Sequence, residues 1–223
     1  MIDNIETNMR HRFRLMRLLG NTIIASDCEI ECQLMLNIEA DIDEAHLRLA
    51  GIKMWLEDFV DGSIAYCPDT VMDATWIDYL DNNTIMVPGN EPLDHILTML
   101  FHKKISAISD HTITVKRTQL ITDTSHGFSS TVSGSSKDWL PSMTEWIGPR
   151  HFHKTPWWYR QDASSIDLQP GPNDDLSIIP DLGMNIIDML RPDDDDDTPP
   201  VEKKAADVVR PKFVPRLVTS DDD

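Results

Sequence analysis

The sequence predicts an α+β domain in which two β-hairpins flank helices, followed by an irregular Trp-rich arm and a disordered acidic tail. Three observations carry this. Residues 29–40 alternate strictly, with Ile30, Cys32, Leu34, Leu36, Ile38 and Ala40 on one side and Glu29, Glu31, Gln33, Met35, Asn37 and Glu39 on the other. That period of two is a half-buried strand. Leu93, Ile96, Leu97, Leu100, Phe101, Lys104, Ile105 and Ile108 trace one face at helical spacing. Residues 111–122 and 128–133 are rich in β-branched and polar residues around an Asp123–Gly127 turn, the pattern of a second hairpin.

The first hairpin is completed upstream. Residues 10–19 read as extended, with Phe13 and Leu15 on one face and Arg10, Arg12 and Arg14 on the other. Gly20-Asn21 and Ser26-Asp27 supply turn residues. Arginines on one strand then oppose glutamates on the next, and such cross-strand pairs contribute roughly 0.2–1 kcal/mol each. Over residues 43–60 the spacing turns helical, with Leu49, Ile52, Leu56 and Phe59 in one stripe and Asp61-Gly62 as the stop. A short helix is expected over Asp73–Leu80, carrying Trp76 and Tyr79. For the long helix, Asn90 is the expected N-cap and Glu91, Pro92 and Asp94 suit its first turn. Lys104 is expected to snorkel or to sit at the edge of the stripe. His102, Lys103 and Lys104 are expected near the helix's C-terminal end, where positive charge is favoured.

Composition narrows the function classes. The 223 residues carry a formal net charge of −18. From Arg191 onward ten acids face six bases, a net of −4, which leaves −14 on the body. So acidic a body repels phosphate backbones, so nucleic acid is not an expected partner. Three cysteines, Cys28, Cys32 and Cys67, form no CxxC and no disulfide framework. No apolar run reaches the length of a membrane span. The expected location is the cytoplasm, or a virion if the chain is viral.

Three regions are read in order: a body over 1–135, an aromatic, Pro-rich arm over 136–191, and a disordered acidic tail over 192–223. In the arm, Trp139, Trp146, Trp157, Trp158 and Tyr159 are the candidate partner-binding residues; they anchor the arm either onto its own body or onto a neighbouring subunit, where Trp and Tyr supply most interface energy. Interleaved with Arg150, Lys154 and Arg160, they also suit stacking on single-stranded nucleic acid. His151-Phe152-His153 places two imidazoles on one side of an extended segment, a candidate metal pair with Asp162 or Asp167 nearby. His95 and His102, with Met99 between them, are a boundary face of the helix or the flanks of a site. Cys28 and Cys32 share one strand face as small core residues. No nucleophile elbow, P-loop or dinucleotide fingerprint occurs.

The order hairpin, helices, hairpin over residues 10–134 resembles the tunnelling fold of the 6-pyruvoyltetrahydropterin synthase and 6-carboxytetrahydropterin synthase family. Cys28 lies just before the long second strand. Gly89-Asn90-Glu91-Pro92 opens the long helix where that family has a Pro-Thr-x-Glu-like start. Asp123 lies where the family has a pterin-anchoring glutamate. The zinc site departs from the pattern: Glu29-Ile30-Glu31 replaces the family's His-Gly-His. His11, the sole upstream histidine candidate, is expected to face outward. Asp94-His95 falls inside the helix and not at the family's Asp-His position. The resemblance therefore implies the fold and argues against the zinc-dependent activity.

The resulting expectation is a non-enzymatic binding or assembly protein with no cofactor, self-associating through sheet edges and clasping a neighbour with the Trp-rich arm. A small domain with such an arm and tail suits a bacteriophage structural or accessory protein. The alternatives are a diverged pterin-synthase-like enzyme and a single-strand nucleic-acid-binding protein with an acidic tail.

Overall fold

A computed structural model of the chain describes residues 4–20, 22–37, 41–67, 83–89, 91–134, 140 and 155–165. Met1–Arg191 forms one unit and Pro192–Asp223 a second. The second unit lies outside the described residues, as do the expected helix over Asp73–Leu80 and the segment holding Trp139, Trp146, His151 and His153.

The first hairpin is longer than the alternation alone indicates. Strand β1 runs Asn4–Leu19 and β2 Thr22–Asn37, joined at Gly20, whose φ of 57° is a left-handed conformation suited to glycine. Ser26 and Asp27, expected as turn residues, instead pair with Leu15 and Arg14 inside the ladder. On the far side of the helices, β5 (Ile113–Thr122) and β6 (Ser129–Ser133) make the second hairpin. Its turn is a short 3-10 segment, Asp123–Ser125, closed by His126 and Gly127 at positive φ. Two three-residue strands, β3 (Ile64–Tyr66) and β4 (Thr84–Met86), complete a six-stranded sheet in the order β4-β3-β1-β2-β5-β6. They lie parallel to β1 and to each other, and three residues are too few to give a readable alternation.

Both helices cover one face of the sheet. Helix α1, Ile42–Met54, is capped by Asp41, whose side chain accepts the Asp43 N–H. It passes directly into a π-helical turn, Trp55–Val60. The wider turn shifts the phase of the apolar stripe. Trp55, Leu56 and Val60 are therefore the buried residues there, while Leu49 and Phe59 of the expected stripe are only partly buried. Helix α2 spans Asp94–Ser109 and begins later than the sequence suggests. Its N-cap residue is Leu93, without a side-chain cap, and not Asn90.

The core lies between sheet and helices. Phe13, Leu15, Cys28, Ile30, Cys32, Leu34, Ile113 and Leu120 meet Ile52, Trp55, Leu97, Leu100, Phe101 and Ile105 there. Trp157 and Trp158 belong to the same cluster and have no exposed surface.

Candidate functional site

The sheet face away from the helices is polar and in register. Arg10 faces Glu31, Arg12 faces Glu29 and Arg14 faces Asp27, as the alternation of both strands requires. The arginine Nε atoms lie 2.9, 2.6 and 3.7 Å from the carboxylate oxygens. On β5, Arg117 and Gln119 extend the same face, and Gln119 bonds Ser129 Oγ on β6 at 2.7 Å. The face carries a depression of about 540 Å³ lined by Arg12, Asp27, Cys28, Glu29, Ile121 and Asp123, among others. Its rim is rich in carboxylates, which suits a ligand bearing N–H donors.

A second polar group lies beneath that depression, on the helix side. Arg17, at the end of β1, ion-pairs with Asp94, the first residue of α2. Asp94 Oδ2 accepts the Thr122 hydroxyl at 3.0 Å, so the helix start is tied to both β1 and β5. Ser26 and Thr124 approach at 3.3 Å beside it. Arg17 is only 7% exposed, and its Nε and Nη2 have no hydrogen-bond partner among the described residues. Cys28 sits in this group with its thiol pushed up to about 11 by burial, against the opposing pull of Arg17. At neutral pH it is a thiol and not a thiolate, which is poor chemistry for a nucleophile.

The zinc site that the family would imply does not fit these residues. Glu29 and Glu31 stand at the comparable positions, and both are neutralised by arginines. His11, expected to face outward, lies on the opposite, helix-side face, where its ring stacks on Phe13 with centroids 6.3 Å apart. A ligand set cannot close across the sheet. Among the described residues no three His, Cys, Asp or Glu side chains gather as a metal site. The expected metal residues His151 and His153 lie outside the described residues.

The histidines of α2 part company. His102 is buried, and its Nδ1 lies 2.9 Å from Thr118 Oγ1. Burial first, and then Lys103, lower its pKa, so it is neutral. Cys32 Sγ reaches the same hydroxyl at 3.7 Å, and its own thiol is raised to about 11 by burial. These three are a satisfied core network. His95 and Met99 instead line an open groove of about 430 Å³ between α2 and β6, together with Thr98, Ser130 and Val132.

Of the two anchorages expected for the arm's tryptophans, its own body or a neighbouring subunit, Trp157 and Trp158 take the first: both are wholly buried in the chain's own core. A large aromatic removes roughly 150–250 Å² from water, about 4–6 kcal/mol at 25 cal/mol/Å², and the body's own Trp55 and Phe101 take that area. Neither indole offers a face for a partner or a nucleobase. Tyr159 stays at the surface, 36% exposed, with Lys103 Nζ 5.8 Å from its ring centroid. The residue that holds the arm was misread from sequence. Lys104 does not snorkel: it is fully buried, and its Nζ donates to Trp157 O at 3.1 Å, Arg160 O at 3.0 Å and Asp162 Oδ1 at 3.2 Å. A lysine inside an apolar stripe, with an Asp beyond it in the arm, was the available signal. Trp157 Nε1 donates to Met86 O, and the Ser165 backbone oxygen accepts from Met86 N, so the arm also covers the outer edge of β4.

With fold and site described, comparison with known proteins adds fold likeness alone. No protein-family profile matches the chain, and no curated protein matches it. Among solved structures it is similar to a catalytic-residue mutant of 6-pyruvoyltetrahydropterin synthase from Plasmodium vivax, at 9% identity and TM-score 0.38, covering 58% of this chain and 96% of that one. It is similar to an uncharacterized protein from Wolinella succinogenes at 10% identity and TM-score 0.39, covering 59% and 98%. The 6-pyruvoyltetrahydropterin synthase of Plasmodium falciparum matches at 7% identity and TM-score 0.38, covering 59% and 98%. The α+β character of the fold rests on the chain's own six-stranded sheet and helices. Identities this low transfer no residue roles. Among the described residues no helix is long and apolar enough to cross a membrane.

Proposed function

We propose that this chain is a self-associating, non-enzymatic binding protein whose copies join through their sheet edges and present the polar sheet face to a ligand. The observation that carries the reading is a pair of open edges. On β1, Arg14 and Met16 have their outward backbone groups satisfied by Asp61, Gly62 and Ser63. By alternation the N–H and C=O groups of Glu6, Asn8, Arg10 and Arg12 point the same way, and they meet no partner among the described residues. Strand β6 has β5 on one side and, among the described residues, no strand on the other. Its residues, Ser129 to Ser133, carry no charge and no proline, the devices that keep an edge solitary. Sedimentation of the full chain is expected to give a mass above 25.4 kDa. A monomer at tens of micromolar overturns the reading.

A second reading, a diverged pterin-synthase-like enzyme, is favoured by one observation. Cys28 and Asp123, which the sequence resemblance singles out, line the same depression. Metal analysis of the purified protein separates the two: stoichiometric zinc would favour the enzyme, and its absence the binding protein.

A further inference from the structure

We propose that the polar sheet face binds a small carboxylate at Arg117, in a pocket spanning β1, β2 and β5. The proposal rests on the binding reading above and deepens it, naming the place on that face and the class of ligand.

The backbone puts the arginine there. Ile113 and Val115 of β5 are buried on the core side, and an unbroken alternation would send residue 117 inward after them. The ladder slips instead at Lys116. Val115 pairs with Leu34 and Arg117 with Gln33, so Lys116 has no partner residue of its own. One extra residue of this kind is a β-bulge, and it turns the rest of the strand over. Thr118 and Leu120 become the buried residues, while Arg117 and Gln119 join the polar face.

Charge then singles Arg117 out. Arg10, Arg12 and Arg14 each stand opposite a carboxylate, Glu31, Glu29 and Asp27 in turn. The next row of the same face runs Asn8, Gln33, Arg117. Here the arginine has an amide for its neighbour where the other three have an acid. Arg117 Nη2 donates to Gln119 Oε1 at 2.8 Å, and among the described residues its guanidinium meets no carboxylate. A guanidinium offers five N–H donors in a planar fork that matches a carboxylate.

A cavity of about 210 Å³ opens over this row, lined by Asn8, Arg10, Glu31, Gln33, Arg117 and Gln119 among others. Arg10 and Glu31 neutralise each other at 2.9 Å, so the pocket keeps the one positive charge of Arg117. The matching ligand is a monoanion. Asn8 and Gln33 bring amide N–H donors to the same space. The volume falls below the roughly 300–1,000 Å³ of pockets for drug-sized ligands, so the ligand has few heavy atoms. A doubly charged phosphate fits less well, because the Glu31 carboxylate shares the pocket.

The test reads each arginine of the full chain separately. Phenylglyoxal, which modifies arginine, is applied at constant ionic strength with acetate, inorganic phosphate or chloride through the millimolar range, and peptide masses give the rate at each site. Acetate is expected to slow the modification of Arg117 saturably, at least about fivefold, and more than phosphate does. Arg14, exposed and paired at the far end of the face, should keep its rate. Gln33→Glu supplies the acid that the row lacks and should abolish the protection. Equal slowing at Arg14 and Arg117, stronger protection by phosphate, or protection that survives Gln33→Glu would each overturn the proposal. So would an unchanged rate at Arg117, and sedimentation of the same sample then shows whether self-association stands without it.

Discussion

At the scale of single residues, the chain's chemistry is decided by where charge is buried. Lys104 lies in the core because three oxygens of the arm receive its ammonium. Replacing it with methionine keeps the volume but strands the Asp162 carboxylate. Breaking one side of a buried pair costs about 3–5 kcal/mol, so Lys104→Met is expected to lower the denaturation midpoint sharply. The double variant with Asp162→Leu should recover part of that loss. Burial alone would raise the Asp162 carboxyl, but Lys104, Ser164 and Arg160 outweigh it and hold the pKa below the usual range. A lowered native pKa stabilises above the unfolded value and is lost as pH falls through the native one. Unfolding curves of Asp162→Asn should accordingly show a shallower loss of stability below about pH 4 than the parent chain. An unchanged acid limb would mean that another carboxylate controls it. The arginine ladder differs in kind. Arg10, Arg12 and Arg14 are 69%, 84% and 68% exposed, so Arg12→Ala should cost under about 1 kcal/mol.

At the scale of elements, α2 is the central beam and β6 the last strand of the described sheet. Leu97 and Leu100 have no exposed surface and face the sheet. Leu100→Ala is expected to cost about 2–5 kcal/mol by chemical denaturation, as buried leucines do, whereas a near-neutral result would remove α2 from the core. On β6, Thr131→Pro deletes an N–H on the outer edge, which tests the proposed self-association. Its effect should fall on association: a lower sedimenting mass with the circular dichroism spectrum retained. Both helices were legible in the sequence, but their details were not. The phase of α1 is broken by the π-turn at Trp55, which sequence spacing cannot show because the wider turn arises from packing. The start of α2 moved from Asn90 to Leu93 because Asp94 is held by Arg17 and Thr122, residues 77 and 28 positions away.

At the scale of the whole molecule, the described part of the arm places Trp157 and Trp158 in the body's core. Trp157 stands 6.4 Å from Trp55 and 5.7 Å from Trp158, ring to ring. Replacing Trp157 and Trp158 with alanine removes area from that core, so the variant should lose its cooperative transition. A folded variant of altered oligomeric mass would return the arm to an interface role. The proposed self-association would use the sheet edges and not these two indoles.

The sequence by itself determined the period-two strands, the two hairpins, the apolar face of α2 and the facing ladder of arginines and carboxylates. These are local patterns, set by residues that alternate along a strand or recur along a helix, and they survive any packing that buries one side. Only the tertiary structure decided the fate of Lys104, Trp157, Trp158 and His11, the short strands β3 and β4, and which edges stay open. Each of those depends on a partner distant in the chain: the oxygens around Lys104, the aromatic cluster at Trp55, the ring of Phe13, and the arm residue Ser165 on β4. A buried lysine and a snorkelling one have the same spacing, and an indole is equally apolar in a core and at an interface. The free energy that separates them lies in contacts that no stretch of neighbouring residues contains.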